Sequence, residues 1–127
     1  MKISILLPYK ENFSSQYAGA VSLFLKDTIS ISKFKKKIKI FGNTNFKKDL
    51  LTSNYINLSL RKFFFESKSN KYLQNFLNYE KEKLSDIIEI HNRPRYINKL
   101  HKYNKNLILY YHNDPLDLKG SKSINDR

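Results

Sequence analysis

Five short runs rich in β-branched and other apolar residues recur along the chain, separated by stretches with helical periodicity or turn chemistry, and this alternation constrains the fold most. The runs are Lys2-Ile3-Ser4-Ile5-Leu6-Leu7, closed by Pro8; Ile38-Lys39-Ile40-Phe41, stopped by Gly42-Asn43; a weaker Tyr55-Ile56-Asn57-Leu58; Asp86 to Ile90, ending at His91-Asn92; and Leu107 to Tyr111, ended by His112-Asn113-Asp114-Pro115. Between them, Ala20, Val21, Phe24, Leu25, Thr28 and Ile29 recur at helical spacing and predict a helix over residues 19–32. Tyr72, Leu73, Phe76, Leu77 and Leu84 do the same over residues 69–84. Asn92 is placed to cap a third helix with Pro94 in its first turn, and a short helical turn is expected around Phe46 to Leu51. This order is that of an α/β domain. Near-continuously apolar strands predict a parallel sheet covered on both faces. Right-handed crossovers make it doubly wound, with strand order 3-2-1-4-5. In such a sheet ligands bind where the winding reverses, between the loops after strands 1 and 4.

A chain of 127 residues is read as one domain spanning 1–127. Apolar residues at 40%, with three Gly and three Pro, exclude collagen-like, low-complexity and disordered classes. The absence of Cys removes disulfides, thiolate metal sites and cysteine nucleophiles. The run from Ile3 to Leu7 is too short to span a bilayer, and no cleavage site follows it. A soluble cytoplasmic protein is the expectation.

Lys and Arg number 24 against 11 acids, for a net charge of +13. One reading is a polyanionic partner. The other is codon bias: Lys, Asn, Ile, Tyr and Phe, all with AT-rich codons, make up 65 of the 127 residues. Arg, the residue that recognises phosphates and bases bidentately, occurs only four times. Nucleic acid is therefore not an expected partner. Lys35-Lys36-Lys37 and Lys47-Lys48 read as solvated connections that could also meet acidic lipid head groups, so a peripheral contact with an anionic inner-membrane face is left open.

Polar residues gather after the strands: Tyr17 and Gly19, Asn43 and Thr44, His91-Asn92-Arg93, and His112-Asn113-Asp114. All fall at the C-terminal rim of a parallel sheet. Gly19 either admits a ligand to the N-terminus of the first helix or is a plain turn glycine. His91 suits an oxyanion or sugar hydroxyl and Arg93 a phosphate or carboxylate; the alternative is a capping segment. His112 would reach the same rim, with Asn113 and Asp114 either beside a ligand or simply forming a turn. No spacing supports a metal site, and no nucleophile elbow supports a hydrolase. His101 reads as surface.

Through Lys2 to Pro8, Tyr17-Ala18-Gly19-Ala20-Val21-Ser22, Ile90 to Pro94 and Tyr111 to Pro115, the chain resembles the N-terminal, acceptor-side half of a GT-B glycosyltransferase. The similarity is to the large retaining group called family 4, which includes bacterial hexose transferases of surface-polysaccharide and lipopolysaccharide assembly. It implies a Rossmann-like domain without a bound metal or resident cofactor, a nucleotide-sugar as donor substrate, and a glycan or lipid-linked acceptor. It also implies donor contacts at Gly19, Ala20 and His112, and acceptor contacts at Tyr17, His91, Asn92 and Arg93. The family's second domain, with its Glu-x7-Glu signature, does not occur in these 127 residues, so the chain alone is expected to be inert. Ser123-Ile124-Asn125-Asp126 has capping-box spacing, as though a further helix were to follow. The competing class is a basic module that binds nucleic acid or an anionic membrane.

Overall fold

Successive strand residues point to opposite faces, and the apolar runs at residues 3–6, 38–42 and 87–91 are largely buried on both. The computed structural model describes residues 1–45, 48–58, 60, 67–104 and 106–114. Along them run β1 (Ile3–Leu6), α1 (Ala20–Ile31), a 3-10 turn (Lys35–Lys37), β2 (Ile38–Gly42), β3 (Tyr55–Asn57), α2 (Lys68–Glu82) and β4 (Ile87–His91). A second 3-10 turn (Pro94–Tyr96) then leads into α3 (Ile97–Leu100), followed by β5 (Leu107–Tyr110).

The strands form one parallel sheet in the order β3-β2-β1-β4-β5. The fold is α/β, doubly wound and Rossmann-like, as the alternation of runs predicts. On one face Ile5, Leu7, Ile38 and Ile40 pack with Val21, Leu25 and Ile29 of α1. On the other, Leu6, Phe41, Ile88 and Ile90 pack with Tyr72, Leu73, Phe76 and Leu77 of α2 and with Tyr96 and Leu100. Each such side chain contributes about 1.5–3 kcal/mol on burial. The winding reverses between β1 and β4, where two neighbouring strands feed loops in opposite directions.

One buried carboxylate braces the opposite, N-terminal end of the sheet. Glu80 of α2 accepts from Ser4 Oγ (2.6 Å), Ser85 Oγ (2.8 Å) and Ser85 N–H (3.0 Å). These bonds tie the end of α2 to β1 and to the entry of β4.

Two expectations need correction. Asn92 does not cap a helix: it sits in the left-handed region at φ 52°, and Arg93 occupies the position before Pro94. The Asn92 side chain reaches sideways to the β5 loop, which leaves it nothing to offer the N–H groups of the next turn. Nor are residues 48–51 helical. Leu50 forms an isolated antiparallel bridge with Ser14, and Ser15 N–H donates to Asp49 O at 2.9 Å. Phe46, Pro115 and the Ser123 to Asp126 box lie outside the described residues. Among the described residues no helix is long and apolar enough to cross a membrane.

Candidate functional site

The loop leaving β1 folds back on α1 through Asn12 and Glu11. Asn12 Nδ2 donates to the Gln16 and Tyr17 carbonyls, and its main-chain oxygen accepts from Gly19 N–H at 3.1 Å. Thr44 Oγ1 donates to Asn12 Oδ1, so the β2 rim holds the same loop. Asn43 and Thr44 are otherwise engaged with Leu58 O (2.7 Å) and Asn57 Oδ1 (2.9 Å), a structural rather than ligand-facing use.

Glu11 Oε1 accepts from Ser22 N–H at 3.0 Å and from Ser22 Oγ at 3.2 Å. A carboxylate thus satisfies a free N–H in the first turn of α1 and lies at the positive end of its dipole. This placement explains Gly19. A Cβ there would stand 1.9 Å from Glu11 Oε1, so glycine makes room for the carboxylate. Ala20 is exposed at the start of the helix, and Tyr17, at φ 54°, has 84% of its surface in solvent.

Across the reversal point, the ends of β4 and β5 are joined by side chains. Parallel register sets Glu89 beside Ile108 and His91 beside Tyr110, with Glu89 and His91 on one face of β4. His91 Nε2 lies 2.6 Å from Glu89 Oε1, and His91 Nδ1 lies 2.7 Å from His112 Nε2. A carboxylate only accepts, so Nε2 of His91 carries a proton. In neutral His91 the Nδ1 then accepts from His112 Nε2–H, which leaves His112 Nδ1 as the basic nitrogen at the end of the chain. Burial, and next the neighbouring His91, push the His112 imidazole below its ordinary pKa, with Glu11 and Glu89 pulling weakly the other way.

Aromatic rings wall this chain of groups. Phe24 of α1 meets His112 edge-on at 4.8 Å and Tyr110 at 5.1 Å. His91 stacks on Tyr110 at 5.4 Å and on His112 at 5.0 Å. Asn92 completes the link between the two loops. Its Nδ2 donates to Asn113 Oδ1 (2.9 Å), its Oδ1 accepts from His112 N–H (2.8 Å), and its own N–H donates to Tyr110 O (3.0 Å).

Arg93 stays half-buried beside the crevice, with Nη1 donating to Asn92 O at 2.8 Å. Its guanidinium influences both Tyr72 and Tyr96, whose hydroxyls are pushed up in pKa chiefly by burial. Tyr96 also crosses the reversal point, its hydroxyl oxygen accepting from Tyr9 N–H at 3.1 Å.

The structure therefore brings Asn92, Arg93, His112 and Asn113 together at the ends of β4 and β5, places Gly19 and Glu11 together at the start of α1, and joins the two groups through Phe24 against His112. His91 lies behind this surface: none of it is exposed, so it acts on the rim only through His112. Tyr17 and Asp114 are both exposed, the latter at the end of the described β5 loop. Among the described residues no group of three His, Asp or Glu is arranged to hold a metal ion, and both nitrogens of His91 are already engaged. Sequence reasoning missed Glu11, Ser22, Phe24 and Glu89. For Glu89 a signal existed: a lone charge in an otherwise apolar strand, two residues before a histidine and so on its face. Comparison with protein-family models, with curated proteins and with solved structures gives no match.

Proposed function

We propose that the chain is the acceptor-side half of a GT-B hexosyltransferase, which moves a hexose from a nucleotide-sugar to a glycan or lipid-linked acceptor of the surface-polysaccharide kind. The observation that carries this reading is His112, held at the C-terminal rim by the Glu89–His91 chain and packed edge-on against Phe24 of α1. Sugar transfer breaks the bond between the anomeric carbon and the diphosphate oxygen, and the electron pair leaves with the diphosphate. The acceptor hydroxyl forms the new bond and releases its proton. Such a step calls for N–H groups and positive charge near the leaving group and for neutral hydrogen-bonding groups near the sugar. The α1 N-terminus and Arg93 suit the first role, and neutral His112 suits the second.

Glu11 sets a condition on this reading, because its carboxylate accepts from Ser22 N–H, one of the α1 N–H groups that a diphosphate would approach. Titration of the 127-residue chain with uridine- and guanosine-diphosphate hexoses, followed by NMR of the His112 ring and the Gly19 and Ala20 amides, tests it. The expected result is a saturable shift at all three positions with affinity in the millimolar range, roughly −4 kcal/mol, strengthened by Glu11→Ala and abolished by His112→Ala. Absence of shifts at these positions for every nucleotide-sugar overturns the reading. By the same likeness the chain alone should not turn over donor.

A further inference from the structure

A group of lysines lies at the other end of the sheet, away from the rim. A groove of about 1040 Å³ runs beneath the N-terminal ends of the strands, between the end of α1, the Lys35–Lys37 turn, the residues before β3 and the end of α2. Seven lysines line it, and among the described residues that line it there is neither a carboxylate nor an arginine. Among the described residues none of these ammonium groups has an ion-pair partner; the nearby Asp86 pairs with the N-terminal amine of Met1. Lys39 and Lys83 hold their ammonium groups 5.7 and 5.6 Å from the centre of the Tyr79 ring, and Lys39 Nζ donates to the Tyr79 hydroxyl at 3.2 Å.

Large apolar side chains stand exposed around the same groove. Met1 lines it directly. Ile31, 87% exposed, follows the groove residue Ser30, and Phe34 precedes Lys35. Leu84, 67% exposed, lies between Lys83 and Ser85, both of which line the groove. Four exposed apolar side chains thus line or, along the chain, adjoin a groove whose lysines have no ion-pair partner among the described residues. Lysines with apolar neighbours are the combination that binds the interface of an anionic bilayer: ammonium groups attract the head groups while aliphatic and aromatic side chains enter the acyl boundary. A discrete phosphate site would favour arginine forks with fixed geometry, and while Phe34 could stack on a base, the exposed aliphatic groups Met1, Ile31 and Leu84 suit acyl chains better than phosphates or base edges.

We propose that the N-terminal edge of the sheet, centred on Lys35–Lys37 and Lys39 and flanked by Met1, Ile31, Phe34 and Leu84, docks on an anionic lipid bilayer. This surface stands apart from the rim and does not depend on the sugar-transfer reading. Sedimentation of the protein with phosphatidylglycerol-containing vesicles, against pure phosphatidylcholine vesicles, at physiological ionic strength tests it. Binding is expected only to the anionic vesicles. With about fivefold in affinity for each lysine near the surface, K35Q/K36Q/K37Q should weaken it by about a hundredfold. K10Q/K48Q/K68Q removes the same charge from exposed positions elsewhere and should weaken it by less than about fivefold. I31S/L84S should weaken binding while leaving its salt dependence unchanged. All these positions are exposed, and circular dichroism confirms that each variant keeps its fold. The proposal is overturned if the protein ignores anionic vesicles, if the two lysine triples lose binding equally, or if a single-stranded oligoribonucleotide binds more tightly through Lys35–Lys37 than the vesicles do.

Discussion

The two ends of the sheet treat polar groups in opposite ways. At the C-terminal rim, Glu89, His91, His112, Asn92 and Asn113 bond to one another across two loops, and Glu11 is bonded to the first turn of α1. At the N-terminal edge, lysines project beside a groove without carboxylate partners among the described residues, although the buried Glu80 nearby is fully satisfied by Ser4 and Ser85. The difference separates two uses of charge. Fixed, mutually bonded groups fix direction and protonation, which recognition of one small molecule requires. Unpaired, mobile ammonium groups give long-range attraction without direction. Net charge therefore says little about the rim, where the positive groups are few.

The contrast breaks first at Asn92. Asn92→Ala removes two side-chain bonds between the loops and places alanine in the left-handed region, so urea unfolding should show a loss of about 2–3 kcal/mol. Asn92→Gly keeps the backbone conformation and should lose less. A change within experimental scatter for Asn92→Ala would mean that the two loops are not a bonded unit.

A second, smaller effect appears on titration. The folded His112 binds its proton at lower pH than the unfolded chain does, so its contribution to stability is present above the ordinary imidazole range and is lost as pH falls through the folded value. Urea midpoints measured across that range should fall towards acid, and less so in His112→Gln. NMR should place the His112 titration higher in His91→Phe, which removes a neighbour that lowers it, and lower still in Glu89→Gln. Shifts of the opposite sign would deny that the three groups form one chain. The smallest effect belongs to the other end: K35Q/K36Q/K37Q should change folding stability by no more than about 0.5 kcal/mol, because those side chains support nothing in the fold.

The strands, the two long helices and the sheet order were legible because burial on both faces writes itself into sequence as apolar runs. Positions at the C-terminal rim were legible from topology, since the residue after each strand of a parallel sheet falls there. What those residues do was less so. His91 read as a rim group, yet its ring faces inward because Glu89, two residues earlier on the same face, offers a carboxylate that a buried imidazole needs. Asn92-Arg93-Pro94 has the chemistry of a helix cap, and local chemistry lost to a contact with residues 112 and 113, twenty positions away. Gly19 read either as an opening for a ligand or as a plain turn glycine, and neither reading included Glu11, whose carboxylate from the preceding loop stands where a Cβ would be. Asn92 depends on a partner about twenty residues away, which spacing along the chain does not encode, whereas the partner of His91 lies two residues off and leaves a trace in the strand.

That filled space has a consequence for selectivity. Helix α1 already holds a counter-ion in Glu11, so an anion arriving at Ser22 N–H enters by ion exchange, and its electrostatic gain is the difference between its own attraction and that of the carboxylate it displaces. A singly charged ligand gains almost nothing by the swap. A doubly charged one gains, so under the proposed function the Glu11 carboxylate would select ligands by valence.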